Sequence, residues 1–283
     1  MASMIRINEV DDPRLEDYRE LRDADLRGAR RLFTVESERV LERFLRSRWT
    51  AESILVEEEI ADRLGALLRS ENESTPVYVT RRGLLRSITG YGFHGGALAL
   101  GRRDEVRSEL PQIETVLLRD RVTLLAAEGV VHVDNIGALF RNGACIGTDG
   151  ILLSGTCSDP LLRKAVRIST GRVFEIPWIR CDDWPGTLTG LRDRYGFRIT
   201  ALENGPSAVD IELMECSARN LIIVGAEGHG ISPETLALCD QIVEIPGSSG
   251  QPVESMNVAV ASAIGLHELG RRRRLAENLD LGS

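Results

Sequence analysis

The second half of the chain alternates continuous apolar runs with segments of helical periodicity, and this alternation constrains the fold more than any other feature. The apolar runs stand at 122–131, 150–155, 172–178, 197–203, 220–228 and 241–247. The helical segments stand at 136–147, 159–170, 186–196, 232–239 and 254–271. Strands without a polar face are typical of a parallel sheet covered by helices on both sides. The pattern therefore predicts an α/β domain over residues 122–283.

The preceding residues predict a smaller α/β domain over residues 1–104. Its predicted elements are helices at 16–48 and 60–70 and strands at 53–59, 75–80 and 97–100. Residues 105–121 are charged, contain Pro111 and lack clear periodicity. We therefore expect them to form an interdomain linker.

Charge limits how the protein could meet nucleic acid. A net charge of -8 argues against binding through overall charge, so any RNA contact must be local. Nearly all basic side chains are arginines, in clusters at 26–31, 80–86, 101–107 and 271–274. Arginine forks suit phosphate, although each cluster taken alone is better explained as solvated surface.

The cysteines and the apolar stretches predict a cytoplasmic protein. The 5 cysteines are widely spaced without a CxxC pair, so we expect small apolar core residues rather than a metal site or a nucleophile. No apolar stretch reaches about 18 residues, and the acidic start does not fit a signal peptide. We expect no membrane contact.

Three glycine-bearing turns follow apolar runs, and ligands in open α/β sheets bind beyond the carboxyl ends of strands. The first turn opens a helix with Asn135 and Arg141. The second places Glu227 among glycines, and the third leads to a helix opened by Ser255 and Asn257. Taken singly, each turn has an ordinary structural explanation, such as a helix cap or a left-handed turn. The glycine patterns of dinucleotide and phosphate loops are absent from the sequence, which weighs against those nucleotide sites.

Together the three turns resemble the signature motifs of the SpoU (TrmH) methyltransferases of the SPOUT class. The matching segments are NIGALFRNGACIG, IIVGAEGHGIS and IPGSSGQPVESMNVAVASAI. The resemblance covers roughly residues 122–270 and implies a parallel sheet whose C-terminal segment threads a deep trefoil knot. The part from LFTVESERVLERFL to GGALALGRR resembles a substrate-binding domain like ribosomal protein L30e.

The resemblance also implies an activity, the methylation of a ribose 2'-hydroxyl of RNA by S-adenosylmethionine, without a metal. The cofactor is expected to lie against the backbone around Gly225, Ile245 and Met256. The expected catalytic residues are Asn135, Arg141, Glu227, Ser255 and Asn257. The third turn is longer than in typical members, with the excess in GSSGQPVE, and Met256 replaces the usual leucine.

Proposals for the family cast the arginine of the first motif as the base that activates the ribose hydroxyl. A guanidinium is a poor proton acceptor, so Arg141 is expected to hold the target phosphate and to stabilise developing alkoxide charge. Ser255 and Asn257 are expected to orient the ribose and Arg141, with Glu227 assisting.

The resemblance implies a homodimer that buries part of the apolar helix at 256–268. Ribosomal RNA is the favoured substrate because of the L30e-like domain, with contacts expected at the arginine clusters 26–31 and 80–86. Three alternatives stay open. They are a tRNA methyltransferase, a non-catalytic RNA-binding protein on the same fold, and an α/β enzyme that uses another nucleotide.

Overall fold

A computed structural model describes residues 4–19, 30–71, 74–89, 95–103, 109–247 and 255–280 of the chain. It forms two compact units. The first comprises Met1–Ser108 and Pro160–Glu175, and the second comprises Glu109–Asp159 and Ile176–Ser283. Most of the arginine cluster at 26–31, the end of the cluster at 101–107 and the turn at 248–254 lie outside the described residues.

Strands and helices alternate in both units. The strands are β1 (Met4–Ile7), β2 (Leu32–Glu36), β3 (Ala51–Glu57), β4 (Val77–Thr80), β5 (Ala97–Arg102), β6 (Val122–Ala127), β7 (Gly150–Ser154), β8 (Trp178–Cys181), β9 (Arg198–Leu202), β10 (Val209–Asp210), β11 (Arg219–Val224) and β12 (Gln241–Glu244). The α-helices are α1 (Glu38–Leu45), α2 (Glu58–Arg63), α3 (Gly65–Ser70), α4 (Leu84–Thr89), α5 (Glu109–Leu117), α6 (Val133–Ile146), α7 (Arg163–Ile168), α8 (Trp184–Tyr195), α9 (Pro233–Leu236) and α10 (Val258–Asp280). The predicted α/β class is confirmed.

The first unit is built on a 5-stranded sheet in the order β1-β4-β3-β5-β2. β1, β4 and β3 run parallel, whereas β5 is antiparallel to both β3 and β2. The helix predicted over residues 16–48 is wrong at 32–36, which form β2 and pair with β5 from Leu32 to Glu36. Pairing with a distant strand overrode the local helical pattern here, as tertiary context often does.

An aromatic cluster in the first unit incorporates the segment Pro160–Glu175. The ring of Phe174 stacks on Phe33 with centroids 5.6 Å apart and meets Phe44 edge-on at 5.2 Å. Residues Arg172–Phe174 form a 3-10 turn that directs this ring into the cluster. The strand predicted at 172–178 is therefore wrong over most of its length, and β8 begins only at its last residue.

Replacing Phe174 with alanine is expected to lower the free energy of unfolding of the first unit by about 3 kcal/mol, because a large buried ring leaves a cavity behind. Urea unfolding followed by tryptophan fluorescence measures the change, since Trp49 packs against Phe174. Val10→Ala, at a side chain that is 40% exposed, is the control and should change stability by less than about 0.5 kcal/mol. Equal effects of the two substitutions would contradict the packing described.

The second unit is built on a 7-stranded parallel sheet in the order β10-β12-β9-β11-β6-β7-β8. From β6 the chain proceeds outward through β7 and β8, and it then returns to the other side of β6. Such a reversal of strand order opens a crevice at the carboxyl ends of the strands. The strands predicted at 122–131, 150–155, 197–203, 220–228 and 241–247 are confirmed as β6, β7, β9, β11 and β12.

Residues 109–117, within the segment predicted as a linker, form helix α5. Ile113 and Val116 are buried in the main core cluster of the second unit. The sequence signal was weak because Pro111 and the charged residues around it obscure a short apolar stripe.

The arginine run of α10 is largely engaged within the second unit. Arg271 and Arg272 both pair with the carboxylate of Glu268 at 2.7 and 2.8 Å. Arg273 donates to the hydroxyl of Thr123 at 2.7 Å, near the amino end of β6. These contacts give three of the four arginines a structural role.

Candidate active site

A cavity of about 410 Å³ opens where β9, β11 and β12 end in the second unit. Its walls combine the turns that follow these strands with the start of α10. The lining residues are Leu202, Glu203, Asn204, Val224, Gly225, Ala226, Glu227, Gly228, Gly230, Val243, Ile245, Ser255, Met256, Asn257, Val258 and Ala261. Six of the eight residues singled out from the sequence therefore line the same cavity.

The turn after β11 is a tight hairpin. Ala226 and Gly230 exchange two backbone hydrogen bonds, of 3.2 and 3.0 Å. At Gly225 a Cβ atom would lie 2.2 Å from the carbonyl carbon of Gly230, so the backbone approaches too closely for any side chain. The hairpin presents Glu227 toward the start of α6.

Three side chains from the three turns form a hydrogen-bonded chain. Asn257 caps α10, because its Oδ1 accepts from the backbone N–H of Ala259 at 3.0 Å. Its Nδ2 then donates to Oδ1 of Asn135 at 3.0 Å. The Nδ2 of Asn135 in turn donates to Oε1 of Glu227. We call Asn257, Asn135 and Glu227 the amide–carboxylate chain.

Glu227 retains one unused oxygen. Its Oε2 is buried, and within the described part of the chain it has no hydrogen-bond partner. A buried acceptor without a partner costs about 1–3 kcal/mol, so a site of this kind suits a ligand that brings a hydrogen-bond donor. The oxygen belongs to a residue of the cavity wall, which fits a hydroxyl-bearing ligand there.

Two further carboxylates hold the hairpin from either side, and the sequence reasoning missed both. Glu203, directly after β9, accepts the backbone N–H of Ile231 through Oε2 at 2.8 Å. Glu128, directly after β6, accepts the hydroxyls of Ser232 and Thr235 at 2.7 and 3.1 Å. Each glutamate directly follows unbroken apolar or β-branched residues, VTLLAA before Glu128 and ITAL before Glu203, and that position was the available signal.

Arg141 stands apart from the other predicted residues. It lies on α6, is exposed, and does not line the cavity. Its position in the helix is about 120° around the axis from Asn135. No hydrogen bond or ion pair involves its guanidinium among the residues that the structure describes. The side chain is therefore free for a partner outside the chain.

The cysteines lie apart from this site. Burial raises the pKa of the Cys181 thiol to about 11 and that of Cys239 to about 12. Thiols with such values stay protonated near neutral pH and are poor nucleophiles. Both side chains pack in or against a core cluster of the second unit, as predicted for small apolar residues, whereas the same prediction is wrong for Cys145, which is exposed.

The described residues contain neither a metal-ion site nor a membrane-spanning helix. No group of three or more His, Cys, Asp and Glu side chains there is arranged to hold a metal ion. None of the helices there is both long enough and apolar enough to cross a membrane.

Comparisons with known proteins extend the resemblance seen in the motifs. The model of the SpoU rRNA Methylase family matches residues 123–267. A Mycobacterium tuberculosis protein named as an uncharacterized tRNA/rRNA methyltransferase is 34% identical over 272 residues, covering 92% of this chain and 90% of that protein. The 23S rRNA (guanosine-2'-O-)-methyltransferase RlmB of Acinetobacter baylyi is 28% identical over 192 residues, covering 68% of this chain and 77% of its own.

The fold is similar to that of a solved structure. The AdoMet-bound rRNA methyltransferase from Sinorhizobium meliloti aligns with a TM-score of 0.76 at 21% identity, covering 95% of this chain and 98% of that one. At this level of identity the likeness establishes the fold, and it does so over both units.

Proposed function

The chain belongs to the SpoU rRNA methylase family, and we propose that it transfers a methyl group from S-adenosylmethionine to a ribose 2'-hydroxyl of RNA. The observation that carries this proposal is the amide–carboxylate chain, which joins all three family motifs beside one cavity. A fold kept only for RNA binding would not need this convergence. A relative named as a guanosine-2'-O-methyltransferase supports the choice of the ribose oxygen.

S-adenosylmethionine fits the cavity in size and chemistry. The volume of about 410 Å³ lies within the range of small-molecule sites. Gly225 offers backbone at close approach, while Ile245 and Met256 offer apolar walls suited to an adenine ring. When bound, S-adenosylmethionine supplies a sulfonium-bound methyl group, which the 2'-oxygen takes as its proton leaves, and a neutral thioether results.

The residues of the site position the acceptor. We assign to Asn257 and Asn135 the orientation of Glu227, whose unused Oε2 accepts a hydrogen bond from a bound hydroxyl. Ser255, exposed at the cavity wall, contacts the ribose. Holding two reactants in line can supply a large part of a rate enhancement, and this suits a site built from amides, a hydroxyl and backbone.

Arg141 binds the phosphate of the target nucleotide and stabilises the developing alkoxide. Its exposure and its lack of a partner within the described residues support this role, because an RNA backbone would approach from outside the cavity. A guanidinium offers several N–H donors in a fixed fork that matches phosphate.

The chain acts as a homodimer with an interface on α10 and α6. Exposed apolar side chains on these helices support this arrangement, with Val260 49% and Ile146 37% exposed. We further infer a deep trefoil knot at the C-terminal end of the second unit. Family membership supports it, as does the meeting of the hairpin after β11 with the start of α10 around one cavity.

The first unit binds the RNA substrate as an L30e-like domain over residues 1–104, and residues 105–121, which include α5, lead into a methyltransferase domain over 122–283. Arg81, Arg82 and Arg86 are exposed there, which supports a contact with phosphates. Among the described residues, Arg82 pairs with Glu59 at 3.5 Å between two exposed side chains, and such a pair costs little to break.

Ribosomal RNA in the cytoplasm is the favoured substrate. The experiment that tests this is a map of ribose-methylated positions in a strain without the protein, compared with its parent. We expect one position in ribosomal RNA to lose its methyl group. Loss of a ribose methyl group from a transfer RNA would instead identify transfer RNA as the substrate. An unchanged map of both RNA classes would support a non-catalytic RNA-binding protein.

A further inference from the structure

The charge of the cavity wall is of one sign. Among the described residues that line it, the charged side chains are Glu203 and Glu227, and none of these lining residues is a lysine, arginine or histidine. Glu227 belongs to the amide–carboxylate chain, but Glu203 has no role in the function proposed above. A cavity whose only charges are carboxylates favours a cationic ligand over a neutral one of the same shape.

The carboxylate of Glu203 is held rigidly. Its Oε2 accepts the N–H of Ile231 at 2.8 Å, and its Oε1 accepts the N–H of Asn204 at 3.1 Å. At Gly230 a Cβ atom would lie 2.2 Å from Oε2 of Glu203, so the absence of a side chain at Gly230 makes room for the carboxylate. The charge is therefore fixed in the wall and does not swing into solvent.

We propose that Glu203 is a specificity-determining residue, which makes the cavity bind the cationic sulfonium donor in preference to the neutral thioether product. This inference rests on the proposed function. Methyl transfer removes the positive charge from sulfur, and the proton of the acceptor hydroxyl leaves to solvent. Loss of that charge weakens binding at the moment when the product has to leave.

The expected size follows from electrostatics. S-adenosylmethionine and S-adenosylhomocysteine share their adenosine and amino-acid parts, so the charged groups of those parts cancel in a comparison of the two. A sulfonium within the field of a fixed carboxylate in a partly open cavity gains roughly fivefold to tenfold in affinity, after screening by solvent.

Glu203→Gln removes the charge and keeps one of the two hydrogen bonds. Glutamine is close in shape, and its single carbonyl oxygen can still accept the N–H of Ile231, whereas the bond from the N–H of Asn204 is lost. Glu128→Gln is the matched control, because it removes one carboxylate from the other side of the same hairpin at a residue that does not line the cavity. Asn204→Lys is a second variant, which adds a positive charge at an exposed residue of the cavity wall.

The test is calorimetric titration of the full chain with S-adenosylmethionine, S-adenosylhomocysteine and sinefungin, whose ammonium group replaces the sulfonium. The ratio of the Kd for S-adenosylhomocysteine to the Kd for S-adenosylmethionine should fall roughly fivefold to tenfold in Glu203→Gln and in Asn204→Lys. The Kd for sinefungin should change in the same way as the Kd for S-adenosylmethionine. The ratio in Glu128→Gln should stay within about twofold of wild type.

Several results would overturn the inference. An equal loss of affinity for all three ligands in Glu203→Gln would show that Glu203 only supports the structure of the hairpin. An unchanged Kd ratio in Asn204→Lys would show that charge at the cavity wall does not set the preference for the sulfonium. A change of the Kd ratio in Glu128→Gln as large as in Glu203→Gln would show that the preference comes from the net charge of the protein and not from Glu203. Wild-type protein that binds none of the ligands would instead defeat the proposed function, and this inference with it.

Discussion

The Gly225→Ala variant is expected to lose cofactor binding, with Kd raised by at least about 100-fold, and to lose methyl transfer with it. The added Cβ would lie 2.2 Å from the carbonyl carbon of Gly230 and 2.4 Å from the backbone nitrogen of Ile231. Both are backbone atoms, so a side-chain rotation cannot relieve the contact. The hairpin has to open, and the backbone wall of the cavity and Glu227 move with it.

Gly190→Ala is the control for this prediction. Gly190 lies within α8, and a Cβ there would meet nothing within 4 Å. Alanine favours a helix over glycine by about 1 kcal/mol, so this variant should be slightly more stable and should bind S-adenosylhomocysteine as wild type does. Titration of both variants decides the point. A Gly225→Ala protein with wild-type affinity would show that the hairpin does not form the cofactor wall.

Arg141→Ala is expected to lower kcat/KM for RNA methylation by about 1,000-fold while the Kd for cofactor changes by less than about twofold. The physical reason is the separation seen in the structure, where Arg141 lies off the cavity wall and is exposed. A residue that meets only the RNA and the developing alkoxide contributes to the transition state and not to cofactor binding. Arg141→Lys should recover part of the loss, because it restores charge without the fork.

Arg194→Ala gives the matched control, since Arg194 is another exposed arginine on a helix of the second unit. Single-turnover methyl transfer and calorimetry on the same preparations measure the two quantities. Parallel loss of cofactor affinity and rate in Arg141→Ala would assign this arginine to the cofactor site. A rate close to wild type would remove it from catalysis.

The central strands and the site turns could be predicted from the sequence because each signal is local. An unbroken apolar run such as the one at β11 identifies a buried strand, and the glycines after it identify a tight turn. Residues Asn135, Glu227 and Asn257 were found as part of three motifs. Their meeting was expected from the order of the motifs, and the hydrogen bonds between them required coordinates.

Glu128 and Glu203 could not be predicted because their roles depend on strand order. Each follows an apolar run and resembles a solvated loop glutamate. Only the placement of β9 and β6 on either side of β11 brings the two carboxylates to the same hairpin. Likewise, the strand at 32–36 depends on pairing with β5, which is more than sixty residues away in the chain.

The most direct measurement of the proposed activity is transfer of labelled methyl from S-adenosylmethionine to RNA by the purified protein, followed by alkaline hydrolysis. Alkali cleaves RNA through the free 2'-oxygen, so a methyl group on that oxygen protects the adjoining bond. We expect label in an alkali-resistant dinucleotide with wild-type protein and almost none with Arg141→Ala. Label in mononucleotides, or no label above the protein-free control, would contradict the proposed activity.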